Sequence, residues 1–237
     1  MKYANYRNVF RVYEYIQPFL KYSTPIEEKL PANKVVVIAP HEDDESIGCG
    51  GTVLKHAKNG GKLEIIFCTH YTQSRMDEAR QAAKILGSKM NYFLQFESKT
   101  LYKQTDLLSE SFTKLFLRTE PDIIFMPFII DNHPAHVAVS KAFLKAYKRK
   151  PVKSLIYAYS IWTTLIPNVS VDISDVWQEK QKAIECYKSQ LASRDYVKMA
   201  ASMAQYWAVV KGKNVKYCET FLKMTAKNYV NFMRDVF

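Results

Sequence analysis

The sequence has few cysteines, no long apolar run and no long basic run. Its four cysteines, Cys49, Cys68, Cys186 and Cys218, are dispersed, and none stands in a CxxC pair. That pattern suits a reducing compartment, in which cysteines act as small apolar residues. No stretch approaches the length needed to span a membrane. The N-terminal MKYANYRNVFRVYEYIQPFL is interrupted by Arg7, Arg11 and Glu14, so it lacks the apolar middle of a signal peptide. Together these absences imply a cytoplasmic protein. The glycines offer no complete dinucleotide loop either. Gly48-Cys49-Gly50-Gly51-Thr52-Val53 does not finish a GxGxxG pattern, and the acidic residues before it would repel a pyrophosphate. A dehydrogenase is therefore disfavoured. No internal repeat, low-complexity segment or linker breaks the chain. One domain over residues 34–237 is expected, preceded by a helical extension over residues 1–33.

The composition itself is that of a folded protein, with 48% hydrophobic residues in 237. The net charge is +11, from 34 basic and 23 acidic residues. Such a balance favours acidic partners. The lysines are scattered, however, and no nucleic-acid motif accompanies them, so a solvated basic surface is expected and no nucleic-acid partner. Tyr3, Tyr6, Val9, Phe10, Val12, Tyr13 and Ile16 recur at helical spacing, which predicts an amphipathic helix over residues 2–22.

Apolar runs at 35–39, 63–69, 91–96 and 123–128 read as strands. Helical patterns at 51–58, 75–86 and 107–118 separate them, and another helix follows through about residue 147. Strands at 154–159 and 169–173, a long helix at 176–191, a second at 195–210, a strand near 216–222 and a terminal helix complete the reading. Alternating strands and helices predict an α/β fold: a Rossmann-like, doubly wound, mostly parallel sheet with helices on both faces.

Two polar clusters stand at strand ends in this pattern. The first strand runs into His41, Glu42, Asp43, Asp44 and Glu45. Ligands of open α/β sheets bind outside the carboxyl ends of the strands. Four carboxylates there repel one another unless a cation sits among them. The alternative is a solvated acidic turn. The fourth strand ends in Asp131, Asn132, His133, Pro134, Ala135 and His136. Pro134 suits the first turn of a helix and keeps His133 out of it. The positive helix start is expected to leave His136 neutral, as a ligand must be. His41, Asp44 and His136 make a two-histidine, one-carboxylate set. Such sets hold catalytic zinc and, in oxygenases, ferrous iron. Asp43 is left beside the metal as a general base. His133 is left to stabilise an oxyanion or to protonate a leaving amine. These parts assemble a metal-assisted hydrolase.

The stretch VVIAPHEDDESIGCGGTV at 36–53 resembles the PIG-L/LmbE-like zinc deacetylases, whose signature is usually written AHPDDE before a glycine-rich turn. NHPAH at 132–136 resembles the family's HPDH. The resemblance continues through RMDEARQAAKILG, VDISDVWQEKQKAIECYKSQ and CETF, covering roughly residues 34–222. It implies a Rossmann-like enzyme that removes acetyl or related acyl groups from the amine of N-acetylglucosaminyl compounds, with zinc or another divalent metal such as Fe2+. It implies His41, Asp44 and His136 as metal ligands, Asp43 as base, His133 as the oxyanion or acid residue, and Arg75 as a substrate-binding residue. The alternative for Arg75 is a salt bridge with Glu78. Trp162, in a loop after a strand, is a weaker candidate for stacking on a sugar face; a core position is the alternative. The expected substrate is a small amino sugar or glycoconjugate.

Two departures stand out. Glu42 replaces the family's usual proline, and Ala135 replaces the aspartate between the histidines. His133 then lacks its orienting partner unless Asp131 substitutes, which predicts activity with a shifted acid limb. The competing functions are a metal-dependent phosphoesterase acting on an anionic substrate and a noncatalytic, metal-containing sugar-binding protein.

Overall fold

A computed structural model of the chain describes residues 24–69, 72–211 and 215–236, together with Val12 and Tyr15. The helix expected over residues 2–22 lies almost wholly outside the described residues.

The apolar run at 35–39 becomes β1 (Lys34–Ala39), buried along nearly its whole length. Its β-branched residues suit a strand covered on both faces. It is followed in chain order by α1 (Asp44–Lys58), β2 (Lys62–Thr69), α2 (Gln73–Ile85), β3 (Met90–Phe96) and a 3-10 turn (Ser98–Lys103). Next come α3 (Thr105–Thr119), β4 (Ile123–Pro127), α4 (Pro134–Arg149), β5 (Leu155–Tyr159) and β6 (Val169–Asp172). The chain ends with α5 (Trp177–Glu185), α6 (Lys188–Leu191), α7 (Tyr196–Val210), β7 (Cys218–Thr225) and α8 (Ala226–Val236).

Among the described residues seven strands form one sheet in the order β3-β2-β1-β4-β5-β7-β6. β3, β2, β1, β4 and β5 are parallel, with Val35 level with both Leu63 and Ile123. β7 runs antiparallel to β5 and β6 antiparallel to β7. The sheet is thus mostly parallel, as expected. Alternate residues of each strand enter opposite cores. Val35, Val37 and Phe125 pack with Ala79, Ile184 and Ala204 on one face. Val36, Ile38 and Met126 pack with Phe112, Val139 and Tyr229 on the other. After β2 and β3 grow outward on one side of β1, the chain crosses back to place β4 on the other side. The carboxyl ends of β1 and β4 therefore meet where the strand order reverses, which is where α/β sheets bind ligands. Among the described residues no helix is long and apolar enough to cross a membrane.

Two local expectations differ from the structure. The helix expected from Gly51 starts at Asp44, so Asp44 and Glu45 of the acidic cluster are helical rather than loop. Its glycines are interior contacts, not turn residues. A Cβ on Gly48 would overlap the Tyr159 ring, and one on Gly51 would stand 2.7 Å from Ile173 Cγ2. The second difference is that the long helix expected over 176–191 is interrupted between α5 and α6. Tyr187 has φ −83° and ψ 59°, outside the helical region. Its ring is buried and its hydroxyl donates to Glu45 Oε1 at 2.5 Å, so a tertiary contact overrides helix periodicity there.

Buried charge also fixes α1. Glu219 on β7 accepts from the Gly51 and Thr52 backbone N–H groups at 2.9 and 2.8 Å and from Thr52 Oγ1 at 2.6 Å. Lys180 Nζ donates to Glu219 at 2.6 Å and to the Ile47 carbonyl at 2.9 Å. Both charges are thus paired and hydrogen-bonded, the condition under which burial is tolerated.

Candidate active site

β1 ends at Ala39 and α1 begins at Asp44, so residues 40–43 form a tight corner at the sheet edge. The corner turns Asp44 back on His41. Asp44 Oδ2 accepts the His41 backbone N–H at 2.8 Å and lies 3.1 Å from His41 Nδ1. The same oxygen lies 3.2 Å from His136 Nε2 at the start of α4. His41, Asp44 and His136 therefore converge across a separation of ninety-odd residues.

Each histidine is held from behind. His41 Nε2 is 3.0 Å from Ser98 Oγ in the 3-10 turn after β3. His136 Nδ1 is 2.8 Å from Asp131 Oδ2. Hydrogen bonds of this kind fix which ring nitrogen faces a ligand. Burial opposes a charge on His136, but Asp44 and Asp131 outweigh it and push its pKa up to about 9. This differs from the expected neutral ring, because two carboxylates at hydrogen-bond distance exceed the effect of the helix start. Burial raises Asp44 in turn, but His136 and His41 overcome it and hold its carboxyl well below the usual range.

Asp43 caps this arrangement on a left-handed backbone, with φ 130°. A non-glycine residue there is strained, and such strain is concentrated at functional sites. Asp43 is 7% exposed; burial, then the Asp44 and Glu45 carboxylates, push its pKa well up, against the pull of Arg75. Glu45 is fully buried beneath it and accepts from Ser46 Oγ at 2.6 Å and from the Asp43 backbone N–H at 3.2 Å. Burial pushes its pKa up to about 7. Glu42 is also fully buried. The cluster is therefore no solvated turn.

His133 stands at the N-cap of α4, with Pro134 at the first helical positions, as the sequence suggested. Its Nδ1 accepts the Ala135 backbone N–H at 3.3 Å, which leaves the proton on Nε2. The ring is half-buried. Burial, then His41 and His136, lower its pKa to about 4. Asp131 does not take over as its orienting partner. That carboxylate goes to His136 and to the backbone of residues 161–163. His133 is oriented by its own helix cap and by the Trp162 ring, 6.1 Å away at an interplanar angle of 28°.

These groups open into a cavity of about 130 Å³ whose lining includes His41, Asp43, Asp44, His133, Arg75 and Trp162, together with Gln190 and Tyr196. Both sequence-predicted substrate residues thus border it. Glu78, the alternative partner of Arg75, receives the Ser189 N–H and Oγ at 3.0 and 2.6 Å. Ser98, Gln190 and Tyr196 had no signal of their own, because no local pattern marks a lone serine or a residue beside a helix break.

The residues present fit a divalent metal. His136 Nε2 is a buried nitrogen without a hydrogen bond of acceptable geometry. Ligating nitrogens of His41, His133 and His136 lie within 4.8 Å of one another, and the Asp44 carboxylate lies against two of these rings. Imidazoles and a carboxylate are zinc ligand types. Residues 36–147, which carry both clusters, match the family described as PIG-L: GlcNAc-PI de-N-acetylase. That match spans just under half of the chain. A diacetylchitobiose deacetylase of Thermococcus kodakarensis is 29% identical to it over 66% of this chain and 70% of the relative. A 4-oxalmesaconate hydratase of Pseudomonas putida is 21% identical over 80% of this chain and 88% of the relative. The solved N,N'-diacetylchitobiose deacetylase of Pyrococcus horikoshii superposes with a TM-score of 0.71 at 23% identity, covering 95% of each chain. The matched segment thus lies in a fold shared along nearly the whole chain.

Proposed function

We propose that the protein is a zinc-dependent N-deacetylase that removes an acetyl or related acyl group from the amine of an N-acetylglucosamine-type sugar or glycoconjugate in the cytoplasm, within one domain spanning residues 34–237. The reading is carried by one observation: His41, Asp44 and His136 converge on one point, with Asp43 buried beside them on a strained backbone. The deacetylase names of the relatives fit it.

His41, Asp44 and His136 would hold the ion. A divalent ion there supplies a Lewis acid for an amide carbonyl and lowers the pKa of water. The chain supplies the rest. Asp43 takes the proton of the attacking water. Its raised pKa falls once a cation joins the cluster, because opposite charge favours the ionised carboxylate. His133, neutral with its proton on Nε2, donates to the oxyanion of the tetrahedral intermediate, while the amine leaves with the proton that Asp43 collected. Arg75 binds sugar hydroxyls or a substrate phosphate through its planar fork, and Trp162 offers a ring face to the sugar.

The test is metal analysis of the purified protein, then acetate release from N-acetyl sugars including diacetylchitobiose and nucleotide- and lipid-linked forms. Hydration of an unsaturated oxo-acid and cleavage of a phosphodiester serve as competing assays. Zinc-dependent acetate release is expected. Hydration or phosphodiester cleavage without acetate, or bound zinc without any turnover, overturns the proposal.

A further inference from the structure

Asp131 is fully buried, and its carboxylate reaches two different structures. Oδ2 faces His136 Nδ1 at 2.8 Å. Oδ1 accepts the backbone N–H groups of Trp162 and Thr163 at 2.8 and 2.9 Å, and Thr163 Oγ1 at 3.2 Å. The Ile161 N–H lies 3.3 and 3.2 Å from Oδ1 and Oδ2. Residues 161–163 form the loop after β5, and Trp162 on that loop stands against His133 and lines the cavity. The Arg194 guanidinium covers the indole at 5.4 Å, and the Tyr196 ring meets its edge at 6.4 Å.

We propose that Asp131 is a positioning residue that ties a metal-ligand histidine to the wall of the substrate cavity, one oxygen fixing the His136 ring and the other fixing the Trp162 loop. The proposal rests on His136 as a ligand in the function above. Its physical basis is that every group around the carboxylate is a donor. A carboxylate accepts on both oxygens, whereas an asparagine amide accepts on one and donates from the other. Asp131→Asn must therefore fail one side. The loop presents backbone N–H groups that cannot change. His136 can change, because its proton can move from Nδ1 to Nε2. The amide oxygen then stays with the loop, the amide NH2 faces Nδ1, and Nε2 carries the proton where a lone pair for the metal is needed.

The test uses Asp131→Asn and Asp131→Ala in the full chain, each with and without Trp162→Phe. Zinc affinity is read by competition with a chromogenic chelator, and Trp162 exposure by acrylamide quenching as the difference between each pair. Asp131→Asn is expected to lose about 10–100-fold in zinc affinity, the range for an outer partner of a ligand histidine, with Trp162 quenching unchanged. Asp131→Ala is expected to lose zinc affinity and to make Trp162 more quenchable. Wild-type zinc affinity in the asparagine variant overturns the proposal. So does an alanine variant whose Trp162 is as protected as in the wild type. Should the alanine variant not fold, the asparagine variant decides by itself: weakened zinc with a protected Trp162 supports the proposal, any other pair of results defeats it. Neither readout needs turnover. A wild-type protein that binds zinc and releases no acetate would defeat the deacetylase reading alone.

Discussion

His136 carries the clearest consequence at the scale of single residues. Asp44 and Asp131, against the opposing effect of burial, push its pKa up to about 9, so in the metal-free protein near pH 7 both ring nitrogens carry protons. A metal on Nε2 must displace one of them. Protons therefore compete with the metal below that pKa, and zinc affinity rises with pH, about tenfold per unit for one displaced proton, up to about 9. Titrating the chelator-stripped protein with zinc at several pH values checks this; an affinity flat between pH 6 and 8 would remove His136 from the ligand set. Asp43→Ala should retain zinc while acetate release falls by at least about 10²–10⁴, the usual contribution of a positioned base. Wild-type release from that variant would end the role. The residue types were legible in the sequence, because histidine and aspartate at a strand end are a chemical statement. Their protonation was not. Burial, and the second carboxylate that reaches His136 from Asp131, are properties of the assembled site.

Among the elements, α1 shows how a local rule is overridden. The sequence pattern predicts a helix only from Gly51, yet Gly48, Gly50 and Gly51 all lie inside α1. Gly48 passes so close to the Tyr159 ring that no Cβ fits, whereas a Cβ on Gly50 meets only ordinary contacts, at 3.5 Å from Leu86 Cδ2 and Lys180 Cγ. The two positions should respond oppositely to alanine. Gly48→Ala should destabilise by about 1–3 kcal/mol through overpacking. Gly50→Ala should be neutral or stabilising by up to about 1 kcal/mol, because glycine weakens a helix interior. Chemical denaturation of both variants decides it, and equal losses would show that the Tyr159 contact does not set the requirement. The start of α4 was legible for the complementary reason. Proline at its first turn and a capping His133 are local signals that need no tertiary context. The break at Tyr187 had no such signal, since its cause is a hydroxyl bonded to Glu45, a residue 142 positions earlier in the chain.

Over the whole molecule, the buried acidic corner links metal binding to folding. Glu42, Asp43, Asp44 and Glu45 are each at most 7% exposed, at the end of the strand that both cores share. Like charges packed there are relieved by a cation. At zinc concentrations about 100-fold above Kd the bound state gains about 2.7 kcal/mol. For a chain of this size that corresponds to a rise in Tm of about 5–10 °C. Chelator should lower the melting temperature by that amount and zinc should restore it; an unchanged Tm after verified metal removal would count against a resident ion. The sequence by itself determined the alternation of strands and helices and the two clusters that end β1 and β4, because hydrophobic period and residue chemistry are local. It also pointed to both wall residues, Arg75 through resemblance and Trp162 as an aromatic in a loop after a strand. Only the tertiary structure decided that β1 and β4 are neighbours across the reversal of strand order. Only there does His136 reach Asp44, does one buried carboxylate meet both His136 and the Trp162 loop, and do Gln190 and Tyr196 join the cavity lining. Those contacts join residues far apart in the chain, and their energies arise from burial, which no local stretch of sequence contains.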